Sequence, residues 1–89
     1  IGLASPGEGA EMIFRGDTKV EGKLAVNSSG GLCGFGHPTG ATGVRQISEL
    51  LAQLTGKADN QADLKRPFGL MVSMGGNDKT LSSLVVSKT

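Results

Sequence analysis

Val44, Ile47, Leu51 and Leu54 recur at intervals of three and four, a spacing that sets them on one face of a helix over 41–54. Leu50 and Ala52 widen the apolar surface, so this helix reads as mostly enclosed. Gly56 follows the last periodic residue, where helices commonly stop. Beyond it the period changes. Phe68, Leu70, Val72 and Met74 alternate along the chain, which predicts a strand over 68–74 opened by Pro67, and a second strand is expected over 81–87. Gly75-Gly76-Asn77-Asp78 between them is turn chemistry, so the pair reads as an antiparallel hairpin.

The first forty residues have no comparable period. Ala4-Ser5-Pro6-Gly7-Glu8-Gly9 is a turn, residues 10–14 fit a helical turn or a strand equally, and 15–23 reads as a loop or hairpin. Leu24-Ala25-Val26 is expected as a brief strand running into a Gly-rich irregular stretch, 27–36. The chain thus divides into a loop-rich segment (1–40), a buried helix (41–56), a surface loop (57–67) and a terminal β-hairpin (68–89), an α/β arrangement without internal repeat.

Composition narrows the picture. Eighty-nine residues with 37% hydrophobic content make one domain or less, with a modest core. Fifteen Gly, three Phe and no Trp or Tyr make independent stability doubtful, and the chain opens on Ile1; part of a larger polypeptide is expected. The formal charge is +1, and the nine basic residues are dispersed without a stripe or an aromatic stacking platform, which argues against nucleic acid. No apolar run approaches the roughly 20 residues of a membrane span, and no signal pattern opens the chain. With one cysteine there is no internal disulfide, and an intracellular location is expected, with peroxisome, mitochondrion and cytoplasm not distinguished. The tail Ser87-Lys88-Thr89 ends in the wrong residue for a peroxisomal signal.

Candidate chemistry centres on Gly36-His37-Pro38-Thr39-Gly40-Ala41-Thr42-Gly43. The chain's only histidine lies between residues that fix the backbone and just before a helix start, so its ring can be held at the mouth of a cleft and take or share a proton. The glycines before it do not continue as a dinucleotide fingerprint or a phosphate loop, because His37-Pro38 stands where Lys-Ser/Thr is needed. Cys33 is four residues from His37 along a glycine-rich stretch that does not force the two side chains together, which argues against a local Cys–His pair. Ser73-Met74-Gly75-Gly76 closes the first strand, either as a tight turn or as a place where a backbone N–H meets an oxyanion.

These stretches resemble the thiolase family. Asn27-Ser28-Ser29-Gly30-Gly31 followed by Gly36-His37-Pro38-Thr39-Gly40-Ala41-Thr42-Gly43 is similar to the thiolase signature N-P-S-G-G and G-H-P-x-G-A-T-G. Gly2-Leu3, Gly7-Glu8-Gly9-Ala10 and Arg15-Gly16-Asp17 resemble the sterol-carrier-protein-linked branch, and Ser73-Met74-Gly75-Gly76 falls where thiolases carry a final C-x-G-G. The resemblance covers essentially the whole chain and corresponds to the last part of a thiolase C-terminal half. It implies a layered α/β/α/β/α fold and acyl transfer between a 3-oxoacyl-CoA and coenzyme A, or the reverse Claisen condensation. It implies coenzyme A as substrate, no covalently bound cofactor and no metal, and a homodimer or homotetramer. On this pattern His37 activates a cysteine thiol supplied by the remainder of the polypeptide and then helps bind the thioester oxygen. Gly75 contributes an N–H to a second oxyanion site, with Ser73, Gly36 and Asn27 as neighbours.

The sequence departs from the pattern at three places. Ser73 occupies the usual place of an acid/base cysteine, and its hydroxyl is far less acidic than a thiol. The sterol-carrier branch also lacks that cysteine and is thought to take one from another loop. Asn77-Asp78-Lys79 stands where relatives run small and apolar, and Ser28 replaces a proline. The first two departures keep an alternative open: a thiolase-like protein that binds acyl-CoA or lipid without catalysis. The 89 residues alone are expected to be inactive, because the attacking cysteine lies elsewhere.

Overall fold

A computed structural model describes residues 2–77 and 79–88, so the expectations for Ile1, Asp78 and Thr89 lie outside the described residues. Its elements are α1 (Gly9–Phe14), α2 (Gly31–Phe35), α3 (Thr42–Leu54), β1 (Phe68–Gly75) and β2 (Thr80–Ser87). The strands pair antiparallel from Phe68 opposite Ser87 to Gly75 opposite Thr80, and Lys88 N–H donates to the Pro67 carbonyl at 3.0 Å just beyond the ladder. This is an α/β structure, and the helix and hairpin stand where their hydrophobic periods put them.

The helix α3 begins without a side-chain cap. The Pro38 carbonyl takes over that task, accepting from the N–H groups of Ala41 at 2.8 Å and Thr42 at 3.0 Å, two donors that the first helical turn would otherwise leave unpaired. At the other end Thr55 Oγ1 donates to the Leu51 carbonyl at 2.7 Å, and Lys57 N–H closes onto Ala52 at 2.8 Å.

One face of the hairpin receives α3. Along β1, Gly69, Met71 and Ser73 are half-buried while Phe68, Leu70, Val72 and Met74 are exposed. The helix comes down on the first set: a Cβ added to Gly69 would lie 2.7 Å from Leu50 Cδ2. The missing side chain at 69 therefore sets how closely helix and sheet approach. The alternating apolar set is on the other face, left bare.

Three local expectations change. Residues 24–26 are not a strand; Leu24 and Val26 instead donate to the Asp17 and Thr18 carbonyls at 2.9 and 3.1 Å, folding 17–26 into a closed loop. The stretch 27–36, expected to be irregular, contains α2, and 10–14 resolves as helix α1. The helix read as mostly enclosed is open on much of its surface: within α3 only Thr42, Gln53 and Leu54 are buried, while Val44 is 67% and Leu51 50% exposed. The buried apolar residues among those described are Leu54 and Ala62. Among the described residues, no helix is long and apolar enough to cross a membrane.

Candidate active site

His37 is held by its neighbours' backbone. Gly36 has φ 89° and ψ 175°, a conformation that an L side chain would strain, and Pro38 fixes the following φ. The turn from Pro38 into α3 then brings Thr42, five residues on, back under the ring. His37 Nδ1 lies 2.7 Å from Thr42 Oγ1, and the same hydroxyl is 3.2 Å from the Pro38 carbonyl, to which it can donate. Thr42 is buried, at 8% exposure, whereas His37 is exposed. One ring nitrogen is thus anchored inside the fold. The other, Nε2, has no hydrogen-bond partner among the described residues, and the residue as a whole is exposed.

Ser73 and Gly75 lie on the strand beneath α3. Leu54 and Pro67 line one surface hollow, and Leu50 meets Gly69. Four residues back along the helix is about 6 Å, and two forward along the strand is about 7 Å, so the elements run antiparallel. Ser73 is on the helix-facing side of β1, half-buried, and Gly75 at the strand end is exposed. Among the described residues, no hydrogen bond joins His37 to either residue. Gly75 lacks a positive φ, and a Cβ there would meet nothing closer than Thr80 at 3.6 Å. Nothing within the described chain demands glycine at 75.

Asn27 belongs to a different place. It is the non-glycine residue with positive φ among those described, at 50°, and its carbonyl accepts from Gly30 N–H at 2.8 Å in the turn that starts α2. With Ser28, Phe35, Glu49 and Asn60 it lines an open cleft of about 440 Å³ that His37 does not line. Cys33 is exposed on α2 and makes no hydrogen bond with His37 among the described residues.

Two contributors escaped the sequence reading. Thr42, the ring's anchor, reads in sequence as an ordinary helix-start residue; its offset of five from a histidine across a Pro-Gly turn is the signal that could have found it. Gln53, 6% exposed, ties the Asn27–Gly31 stretch and the 60–62 loop to α3. Its amide nitrogen, with two protons, faces Ser28 Oγ at 2.9 Å, the Asn60 carbonyl at 2.9 Å and Glu49 at 3.2 Å. Its oxygen accepts from Ala62 N–H at 2.9 Å. Asn60 in turn donates to the Ser28 carbonyl at 2.6 Å. No periodic pattern marks a glutamine on the helix as such a hub.

Residues 1–88 match the family described as thiolase C-terminal domain-like. An acetyl-CoA acetyltransferase of Methanothermobacter thermautotrophicus is 35% identical over 88 residues, 99% of this chain and 23% of that protein. Human sterol carrier protein 2 is 50% identical over 58 residues, 65% of this chain and 11% of the relative. Non-specific lipid-transfer protein-like 2 of Caenorhabditis elegans is 51% identical over 57 residues, 64% of this chain and 14% of the relative. The chain therefore spans less than a quarter of each of these relatives. No solved structure matches it.

Proposed function

The chain belongs to the thiolase C-terminal domain-like family, and from that premise we propose that it supplies the histidine side of an acyl-CoA thiolase site. The reaction is acyl transfer between a 3-oxoacyl-CoA and coenzyme A, or the reverse Claisen condensation. Acetyl-CoA acetyltransferases among the relatives support the acyl-CoA chemistry. The observation that carries the reading is the ring of His37, anchored at Nδ1 and open at Nε2.

In this mechanism Nε2 takes the proton of a cysteine thiol that comes from outside these 89 residues. The thiolate attacks the thioester or ketone carbonyl, and the protonated Nε2 donates to the oxygen as negative charge builds there. Collapse of the adduct leaves the acyl group on the cysteine: from a thioester the C–S bond breaks and the coenzyme A thiolate departs, and from the ketone the Cα–Cβ bond breaks and the acyl-CoA enolate departs to be protonated. The N–H of Gly75 is the second oxyanion donor, and the bare Cα leaves room for an acyl group to approach. Ser73 does not replace an acid/base thiol, so the α-proton is handled by a group elsewhere in the protein. The working enzyme is a dimer or larger, with the exposed apolar faces of this segment covered by the rest of the polypeptide.

In the full-length protein, His37→Ala should lower kcat for thiolysis by roughly 10²- to 10⁴-fold, the scale of a lost proton-transfer group, with coenzyme A affinity nearly unchanged. An unaltered kcat would reduce His37 to a structural role. A second reading, non-catalytic binding of acyl-CoA or lipid, is favoured by Ser73 and by relatives named for sterol carriage and lipid transfer. It is distinguished by coenzyme A or acyl-CoA binding without turnover in that same full-length protein.

A further inference from the structure

We infer that Thr42 is the positioning residue that sets the reactive nitrogen of His37, by accepting from Nδ1–H while donating its own O–H to the Pro38 carbonyl. The inference rests on the thiolase reading above and deepens it. A hydroxyl carries one proton and two lone pairs. Thr42 Oγ1 has two neighbours, the imidazole Nδ1 at 2.7 Å and the Pro38 carbonyl at 3.2 Å. The carbonyl can only accept. If the hydroxyl donates there, its lone pair is left for Nδ1, which must then carry the ring proton, and Nε2 is bare. If the hydroxyl donates to Nδ1 instead, Nε2 of the neutral ring already holds a proton and cannot take one from a thiol.

Only the first arrangement suits a ring that activates a thiol at Nε2. It also survives the step. Once Nε2 has taken the thiol proton, both ring nitrogens are donors, and the Nδ1–H still finds the same lone pair without any group moving. The burial of Thr42 keeps water from substituting for the hydroxyl. Which nitrogen of a histidine reacts is commonly decided by the hydrogen bond made by the other. The Pro38 carbonyl has a double task here: it caps α3 through the N–H groups of Ala41 and Thr42, and it orients the hydroxyl that orients the ring. The Gly36-His37-Pro38 segment and the first turn of the helix are thereby one unit.

The test uses the full-length protein with ¹⁵N-labelled histidine, the His37 signals being identified by their loss in His37→Gln. Long-range ¹H–¹⁵N correlation of the neutral ring should show Nδ1 protonated and Nε2 bare. Thr42→Val, nearly the same shape without the hydroxyl, should move the ring toward the Nε2–H form. It should lower kcat roughly tenfold or more, with KM for coenzyme A within about twofold. Thr42→Ser should restore both the spectrum and kcat. An Nε2–H ring in the unmodified protein, or a Thr42→Val protein with unchanged kcat and spectrum, overturns the assignment. Should Thr42→Val fail to fold, the spectrum of the unmodified protein still decides. Failure of the thiolase reading looks different: the unmodified protein would then bind coenzyme A without turnover, or His37→Gln would leave acyl transfer intact.

Discussion

At the scale of single residues, the site depends on backbone that a histidine alone could not specify. Gly36→Ala places a methyl at φ 89°, where an L residue pays about 1–2 kcal/mol, so the melting midpoint of the full-length protein should fall. Gly75 is the contrasting case. Its surroundings in this chain have room for a Cβ, so Gly75→Ala should change stability by no more than about 0.5 kcal/mol. The same substitution should lower kcat about tenfold or more, because the added methyl crowds the acyl oxygen that the N–H serves. Equal thermal midpoints with reduced turnover would support that role; equal turnover would remove it. The constrained backbone around His37 was legible in the sequence because Gly36 and Pro38 announce it. Thr42 was not, because a threonine in a helix's first turn has an ordinary use of its own.

At the scale of elements, α3 and the hairpin were legible because each carries a clean period, 3.6 for the helix and 2 for the strand. What the period could not reveal was which strand face the helix covers. Met71 and Val86 are apolar on the covered side, Phe68 and Leu70 on the bare side, and Gly69 settles the choice by its lack of a side chain. The turn-rich first forty residues were least legible, since glycine tolerates so many conformations that α2 left no pattern. Contact between the Asn27–Gly31 stretch and α3 runs through Gln53. Gln53→Ala should cost roughly 1–2 kcal/mol, as the buried Ala62 N–H, the half-buried Ser28 hydroxyl and the exposed Asn60 carbonyl lose their partner. Urea unfolding would measure the loss, and amide exchange should speed up selectively at Ala62. Uniformly unchanged protection would show that the hub is dispensable. A cation–π contact, with the Arg45 guanidinium 4.9 Å from the Phe35 ring centroid, adds a smaller link between α2 and α3.

At the scale of the whole molecule, the main fact is how little is buried. Among the described residues sixteen large hydrophobics are exposed, including Phe68, Leu70, Val72, Met74, Leu81 and Val85 on the bare hairpin face. A two-stranded sheet needs more strands or a covering layer to be stable in water, and apolar faces of this kind mark association surfaces. Residues 1–89 expressed alone should therefore bind a hydrophobic dye, self-associate and show no thiolysis. A monomeric chain with a sharp unfolding transition would contradict this.

The central claim is that His37 activates a thiol brought from elsewhere in the protein. The most direct measurement is first-turnover acyl transfer from an acyl-CoA, followed by intact mass in the full-length protein with and without His37→Gln. The account predicts rapid appearance of one acyl adduct on a cysteine other than Cys33, slowed at least about 100-fold by the substitution. An adduct forming at the same rate in both proteins, or forming on Cys33, would contradict it.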